Sequence, residues 1–149
     1  MSGSTSEESD GRPTWTDKRA EVFAVQERAL HAARRAEHEQ ATALIREYIG
    51  RFDEAGIEPV PLKALPYRGS RPIRTSLTGW YLKTDHTIGV DLEGNYYILR
   101  VDGGVMNRLR GATPEPAQAP MVVGRGARDG ETFELRELLE MRLTDPVRP

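Results

Sequence analysis

The sequence predicts an α+β fold, in which a long N-terminal helix packs on a small antiparallel β-meander of three to four strands, with a short C-terminal helix. Three observations carry this expectation. A run from Asp17 to Ala55 holds no proline and no glycine before Gly50, with apolar residues at helical spacing. A stretch rich in Trp, Tyr, Ile and Val follows between Ser76 and Val101, broken by two turn dipeptides. Leucines then recur at helical spacing from Leu135 to Leu143.

Residues 1–13 are small, polar and acidic, with nothing to bury, and read as a disordered tail. The segment 14–56 reads as one amphipathic helix. Thr14 and Asp17 have capping-box spacing, in which a hydroxyl and a carboxylate satisfy the free amides of the first turn. At the other end Gly56 can adopt the left-handed conformation that stops a helix, bringing Ile57 back towards Phe52. At about 1.5 Å per residue such a run spans roughly 58 Å, about twice the diameter of the small domain the remaining chain can build. The helix therefore either breaks or carries apolar faces that its own domain does not shelter.

Two stripes run along this helix. Phe23, Leu30, Ala41, Leu44, Ile45, Tyr48, Phe52 and Ala55 share one broad face, expected to cover the core. Val22, Val25, Ala29, Ala32 and Ala36 share another, confined to the N-terminal half. Alanine is the strongest helix former, which accounts for such a stripe without any function. Small side chains also let a second helix come close, and on that reading these five residues are partner-binding.

Segment 57–144 reads as a small α+β domain. The prolines at 59, 61, 66 and 72 forbid a helix and favour extended chain. Strands are expected at Ser76–Lys83, Thr87–Leu92 and Asn95–Val101, with tight turns at Asp85-His86 and Glu93-Gly94. Gly103-Gly104 ends the meander, Val105 to Arg110 suits one or two helical turns, and Thr113 to Pro120 reads as a surface connection. A short strand at Met121–Val123 and a helix at Leu135–Leu143 complete the domain, and residues 145–149 are expected to fray.

Composition narrows the function. The absence of cysteine excludes disulfides, thiolate metal sites and cysteine nucleophiles, and suits a reducing cytoplasm. Nothing approaches the roughly 18 apolar residues of a membrane span. The formal net charge of -2 is too small to steer the whole molecule, so electrostatic arguments must be local. Arginine supplies 18 of the 21 basic residues and is scattered through all elements, which reads as coding bias.

No combination of residues assembles a catalytic or metal site. His31 and His38 stand seven residues apart, about 10.5 Å along a helix, too far to share one ion, and read as solvated. Asp85, His86 and Thr87 hold the ingredients of a triad, but neighbours on a hairpin point in different directions, and turn chemistry explains Asp85.

Two segments invite ligand readings. Between Pro59 and Thr84 lie Lys63, Arg68, Arg71, Arg74 and Lys83 with Tyr67, Trp80 and Tyr81 and no acidic residue. Arginines grip phosphates and exposed aromatic rings stack on bases, so Arg68, Arg71, Arg74, Trp80 and Tyr81 are the candidate nucleic-acid contacts. The same composition suits an extended segment that buries its aromatic residues. The glycine-rich loop 124–130 lies between a short strand and a helix, as phosphate-cradling loops do, with Arg125 and Arg128 as candidate anion contacts. Its glycine spacing matches neither the dinucleotide fingerprint nor the nucleotide P-loop.

The function this supports is non-catalytic: a cytoplasmic accessory protein that needs no cofactor and associates through its long helix, as a homodimer or with a partner protein. A nucleic-acid-binding regulator using segment 63–83 and a small-anion or nucleotide binder at the loop are the alternatives.

Overall fold

The computed structural model describes residues 14–124 and 131–149. Helix α1 spans Trp15–Glu54 without interruption. The capping box forms in both directions: the Asp17 amide donates to Thr14 Oγ1 at 3.1 Å, and the Thr14 amide donates to Asp17 Oδ2 at 3.2 Å. The helix stops at Gly56, whose φ of 74° is costly for any residue with a Cβ. There the Ile57 amide bonds the Phe52 carbonyl and the Gly56 amide bonds the Asp53 carbonyl, the paired bonds of a Schellman motif.

The chain divides within α1 into two compact units, one ending at Arg35 and the other beginning at Ala36. In the first unit every described residue from Thr14 onward is exposed except Ala24, which is half-buried. Phe23 and Leu30, expected to cover the core, are thus solvent-facing. In the second unit Ala41, Leu44, Ile45, Tyr48 and Phe52 are buried, while Ala55 is exposed.

The second unit is built on five strands, β1 (Val60–Pro66), β2 (Ile73–Tyr81), β3 (Ile88–Asp91), β4 (Tyr96–Ile98) and β5 (Arg100–Val101), in spatial order β4-β3-β2-β1-β5. The pairs β1–β2, β2–β3 and β3–β4 are antiparallel, and β1–β5 is parallel. β4 and β5 are consecutive in the chain yet lie at opposite ends of this order. A flat sheet would hold them roughly 19 Å apart at about 4.8 Å per strand, whereas residues two apart reach only about 7 Å. The sheet therefore curls until one extended segment, Tyr96–Val101, closes against both β3 and β1. The expected third strand is thus present but divided between two partners at Leu99, whose amide bonds the Thr87 carbonyl while its own carbonyl accepts from the Leu65 amide.

β1 occupies the segment whose prolines suggested only extended chain. Proline cannot donate to a ladder, and the β1–β2 register shifts between Pro61 and Lys63, so the strand tolerates it. Thr75 Oγ1 donates to the Leu62 carbonyl there at 2.6 Å and accepts from the Leu77 amide.

Two apolar clusters result. One, within the curl of the sheet, contains Leu62, Ala64, Tyr81, Tyr97 and Leu99. The other packs the buried stripe of α1 against Trp80, Leu82, Ile88, Val90 and Tyr96 and against helix α3 (Leu135–Thr144), through Leu135, Leu138 and Leu139. Helix α2 (Val105–Arg110) buries none of its residues. A small two-stranded sheet, β6 (Val122–Val123) with β7 (Phe133–Glu134), leads into α3.

The connection 113–120 is more embedded than its composition suggests. Ala119 is buried, and the Ala117 amide bonds the Tyr96 carbonyl. His38 is half-buried rather than solvated, and its Nδ1 accepts from the Ala119 amide at 2.9 Å; Glu37 Oε2 accepts from the Met121 amide at 2.8 Å. The last residues, expected to fray, are tied down: Val147 packs on the inner cluster, and the Arg148 carbonyl lies 2.8 Å from His86 Nε2.

Candidate functional site

The N-terminal half of α1 presents an unusual concentration of apolar surface. Trp15, Val22, Phe23, Val25 and Leu30 are between 51% and 70% exposed. Arg19 lies over the Trp15 ring, 5.6 Å from its centroid, within the same helix. Phe23 and Leu30 continue the stripe that farther along forms the core. Val22, Val25, Ala29, Ala32 and Ala36, all exposed, alternate by three and four residues, the spacing of a left-handed coiled-coil seam.

The basic candidates separate into two groups. Trp80 and Tyr81 belong to the core, only 6% and 3% exposed, in different clusters. Trp80 packs on Phe52 with ring centroids 5.6 Å apart and donates its indole N–H to the Ile57 carbonyl at 2.9 Å. The Tyr81 hydroxyl accepts from the Lys63 amide at 2.8 Å, and its ring stacks on His86. These two rings are structural and offer no face to a base. The exposed aromatic residue of the segment is Tyr67.

Of the segment's cations Lys63, Arg68, Arg71 and Arg74 are exposed, while Lys83 is buried. Lys63, Arg71 and Arg74 line a concavity of about 480 Å³ with Pro72, Ile73 and, from α2, Arg108. Lys63 and Arg74 are Cα partners across β1 and β2, a like-charge pairing that weakens a sheet unless an anion relieves it. Arg74 Nη2 donates to the Leu109 carbonyl at 3.3 Å, and Arg108 Nε donates to the Gly103 carbonyl at 3.0 Å, so both are held by backbone. No carboxylate among the described residues pairs with any of the four. Arg68 is exposed and does not line the concavity. Sequence reasoning missed Arg108, because it enters from an element some 35 residues downstream.

The remaining carboxylates of interest serve turns. Asp91 accepts from the Glu93 and Asn95 amides, Asn95 Nδ2 and the Tyr97 hydroxyl, at 2.9–3.0 Å. Burial pushes its carboxyl up, but these hydrogen bonds outweigh that and hold it below the ordinary range. Tyr97 is driven the other way, to about 12, by burial and then by Asp91 itself. Asp85 likewise caps Thr87, and bonds from Thr87 with the nearby Lys83 ammonium overcome burial to lower its carboxyl. His86 takes the left-handed conformation, φ 64°, in that turn.

Arg125 and Arg128 lie outside the described residues, as does the tail 1–13. Among the described residues no group of three or more His, Cys, Asp or Glu gathers as a metal site, and no helix is long and apolar enough to cross a membrane. No protein-family model, curated protein or solved structure matches the chain.

Proposed function

We propose that this chain is a non-catalytic association protein that pairs with a second copy of itself through Trp15–Ala36 of α1. The observation that carries the reading is the exposure of five large apolar side chains on one short stretch of helix. Each leaves roughly half of the about 1.5–3 kcal/mol of full side-chain burial unrealised in the isolated chain.

Charge supports a second copy in antiparallel register. The first part of the stretch carries Asp17 and Glu21 with Lys18 and Arg19, and the second carries Arg28, Arg34 and Arg35; Glu21 and Arg35, 14 residues apart, flank the small-residue stripe on the same side. An antiparallel copy brings Glu21 of one chain towards Arg35 of the other, flanking a seam of Val22, Val25, Ala29 and Ala32. The cysteine-free composition supports a cytoplasmic setting.

Because the chain holds no cysteine, single substitutions report this geometry directly. Val25→Cys mixed with Ala29→Cys is expected to form a disulfide-linked heterodimer on mild oxidation, faster than either variant forms a homodimer. No linked species in any mixture overturns the reading and leaves a foreign helix as the occupant of this face.

A second reading rests on the cationic concavity. Four basic groups on β1, β2, the connection between them and α2, with a like-charged cross-strand pair among them, favour a phosphate-bearing polyanion. In this form the nucleic-acid alternative keeps Arg71 and Arg74, draws on Lys63 of the same segment, gains Arg108, and leaves out Arg68, Trp80 and Tyr81.

A further inference from the structure

A second cavity, of about 340 Å³, opens where the end of α1 meets β2 and the C-terminal segment. Its walls are mainly apolar, with Phe52, Ile57, Trp80, Tyr81 and Val147 among them. Into this lining comes Arg142 of α3, which is 93% buried, with 7% of its surface exposed. Its Nε is fully buried, and no acceptor among the described residues takes a hydrogen bond from it.

A buried guanidinium N–H without an acceptor is costly, since water has been removed and nothing replaces it. Among the described residues the Thr42 hydroxyl is the other buried side-chain group without a partner, but it is uncharged, and the Trp80 indole on the same cavity is satisfied by the Ile57 carbonyl. Arg142 also interrupts a pattern. It stands seven residues after Leu135, on the buried face of α3 with Leu138 and Leu139, where a leucine would serve packing better. A cation retained there, facing an apolar hollow, is the signature of a site that takes an anion with an apolar body.

We infer that this cavity binds a small organic monocarboxylate, its carboxylate on the Arg142 guanidinium and its aliphatic or single-ring body against Phe52, Ile57 and Trp80. Guanidinium and carboxylate match in planar, two-pronged geometry. The ligand is a monoanion because Arg142 is the one buried cation of the lining. The ligand is small because the volume lies at the lower end of the roughly 300–1,000 Å³ that ligand pockets occupy. The C-terminal segment forms one wall and is held there by the contact of its Arg148 carbonyl with His86.

The test uses octanoate and its uncharged counterpart 1-octanol, read by Trp80 fluorescence in a Trp15→Phe background, which leaves one indole in the chain. Octanoate is expected to saturate with a Kd on the order of 1 mM or tighter, and 1-octanol to bind at least ~10-fold more weakly. Arg142→Gln is expected to abolish that preference while melting at or above the parent temperature, because an unpaired buried charge is removed. No saturable change with octanoate up to about 10 mM, or equal affinity for the alcohol, overturns the inference. So does an Arg142→Gln variant that binds octanoate as well as its parent. The octanoate–octanol comparison leaves the site unaltered, so it decides the matter if Arg142→Gln does not fold.

Discussion

Lys63 and Arg74 stand opposite each other across β1 and β2, two cations on neighbouring strands with no carboxylate between them. Like charges in that position cost a sheet about 0.2–1 kcal/mol. Lys63→Gln is therefore expected to raise stability by a few tenths of a kcal/mol, read by urea denaturation. The same substitution should weaken heparin or RNA binding. It should also flatten the salt dependence of log K by about 0.7–0.9 for each phosphate that the variant no longer neutralises. Binding that is absent at low salt, or unchanged by Lys63→Gln and Arg74→Gln together, removes the polyanion reading.

Asp91 supplies a pH dependence whose sign is fixed. Its carboxyl titrates below the ordinary value of 3.8 in the folded chain, so the unfolded chain takes up the proton first as pH falls. Its contribution is fully present above about pH 4–5 and fades below that. Asp91→Asn should therefore melt below wild type at pH 6, and the gap should narrow towards pH 3. A gap that is constant with pH would contradict the hydrogen-bond account of this turn.

His38 and Glu37 hold the connection 117–121 by accepting the Ala119 and Met121 amides. Removing either acceptor leaves a donor short of a partner, at a cost of roughly 1–3 kcal/mol. His38→Ala should accelerate hydrogen exchange at Ala119 and Glu37→Ala at Met121, with other amides of the sheet unaffected.

Gly79 lies in the middle of β2, paired with Val60 and Asp91. A Cβ there would run into the Val90 carbonyl oxygen and close on the Asp91 Cα, both backbone atoms that cannot swing aside. Gly79→Ala should destabilise by roughly 3 kcal/mol through overpacking, measured by thermal unfolding. Gly50→Ala, where the space is open and the residue is helical, should be neutral or stabilising.

Local chemistry made much of this fold legible in sequence. The Thr14–Asp17 box, the Gly56 stop and the turns at Asp85 and Gly94 are fixed by residues within a few positions of one another. Each forms as its residue types dictate. Long-range pairing was not legible. β1 carries prolines that mask a strand, and the closure of Tyr96–Val101 onto it depends on curvature that no local pattern encodes. The candidate sites divide in the same way. Exposure of Val22, Val25 and Ala29 followed from helix length, whereas Arg108 joins Lys63 and Arg74 only through the path of the chain. Arg142 did leave a trace, a cation seven residues after Leu135 on an apolar stripe, but nearby Leu143 offers the same stripe an ordinary member.

The central claim is that the exposed half of α1 is covered by a second copy, and mass in solution tests it most directly. Light scattering across concentrations up to on the order of 1 mM should show wild type reaching twice the 16.7 kDa chain mass. Ala29→Glu with Ala32→Glu should remain at the single-chain mass with its helicity intact. A wild type that stays at one chain throughout, with α1 still helical, would contradict self-association.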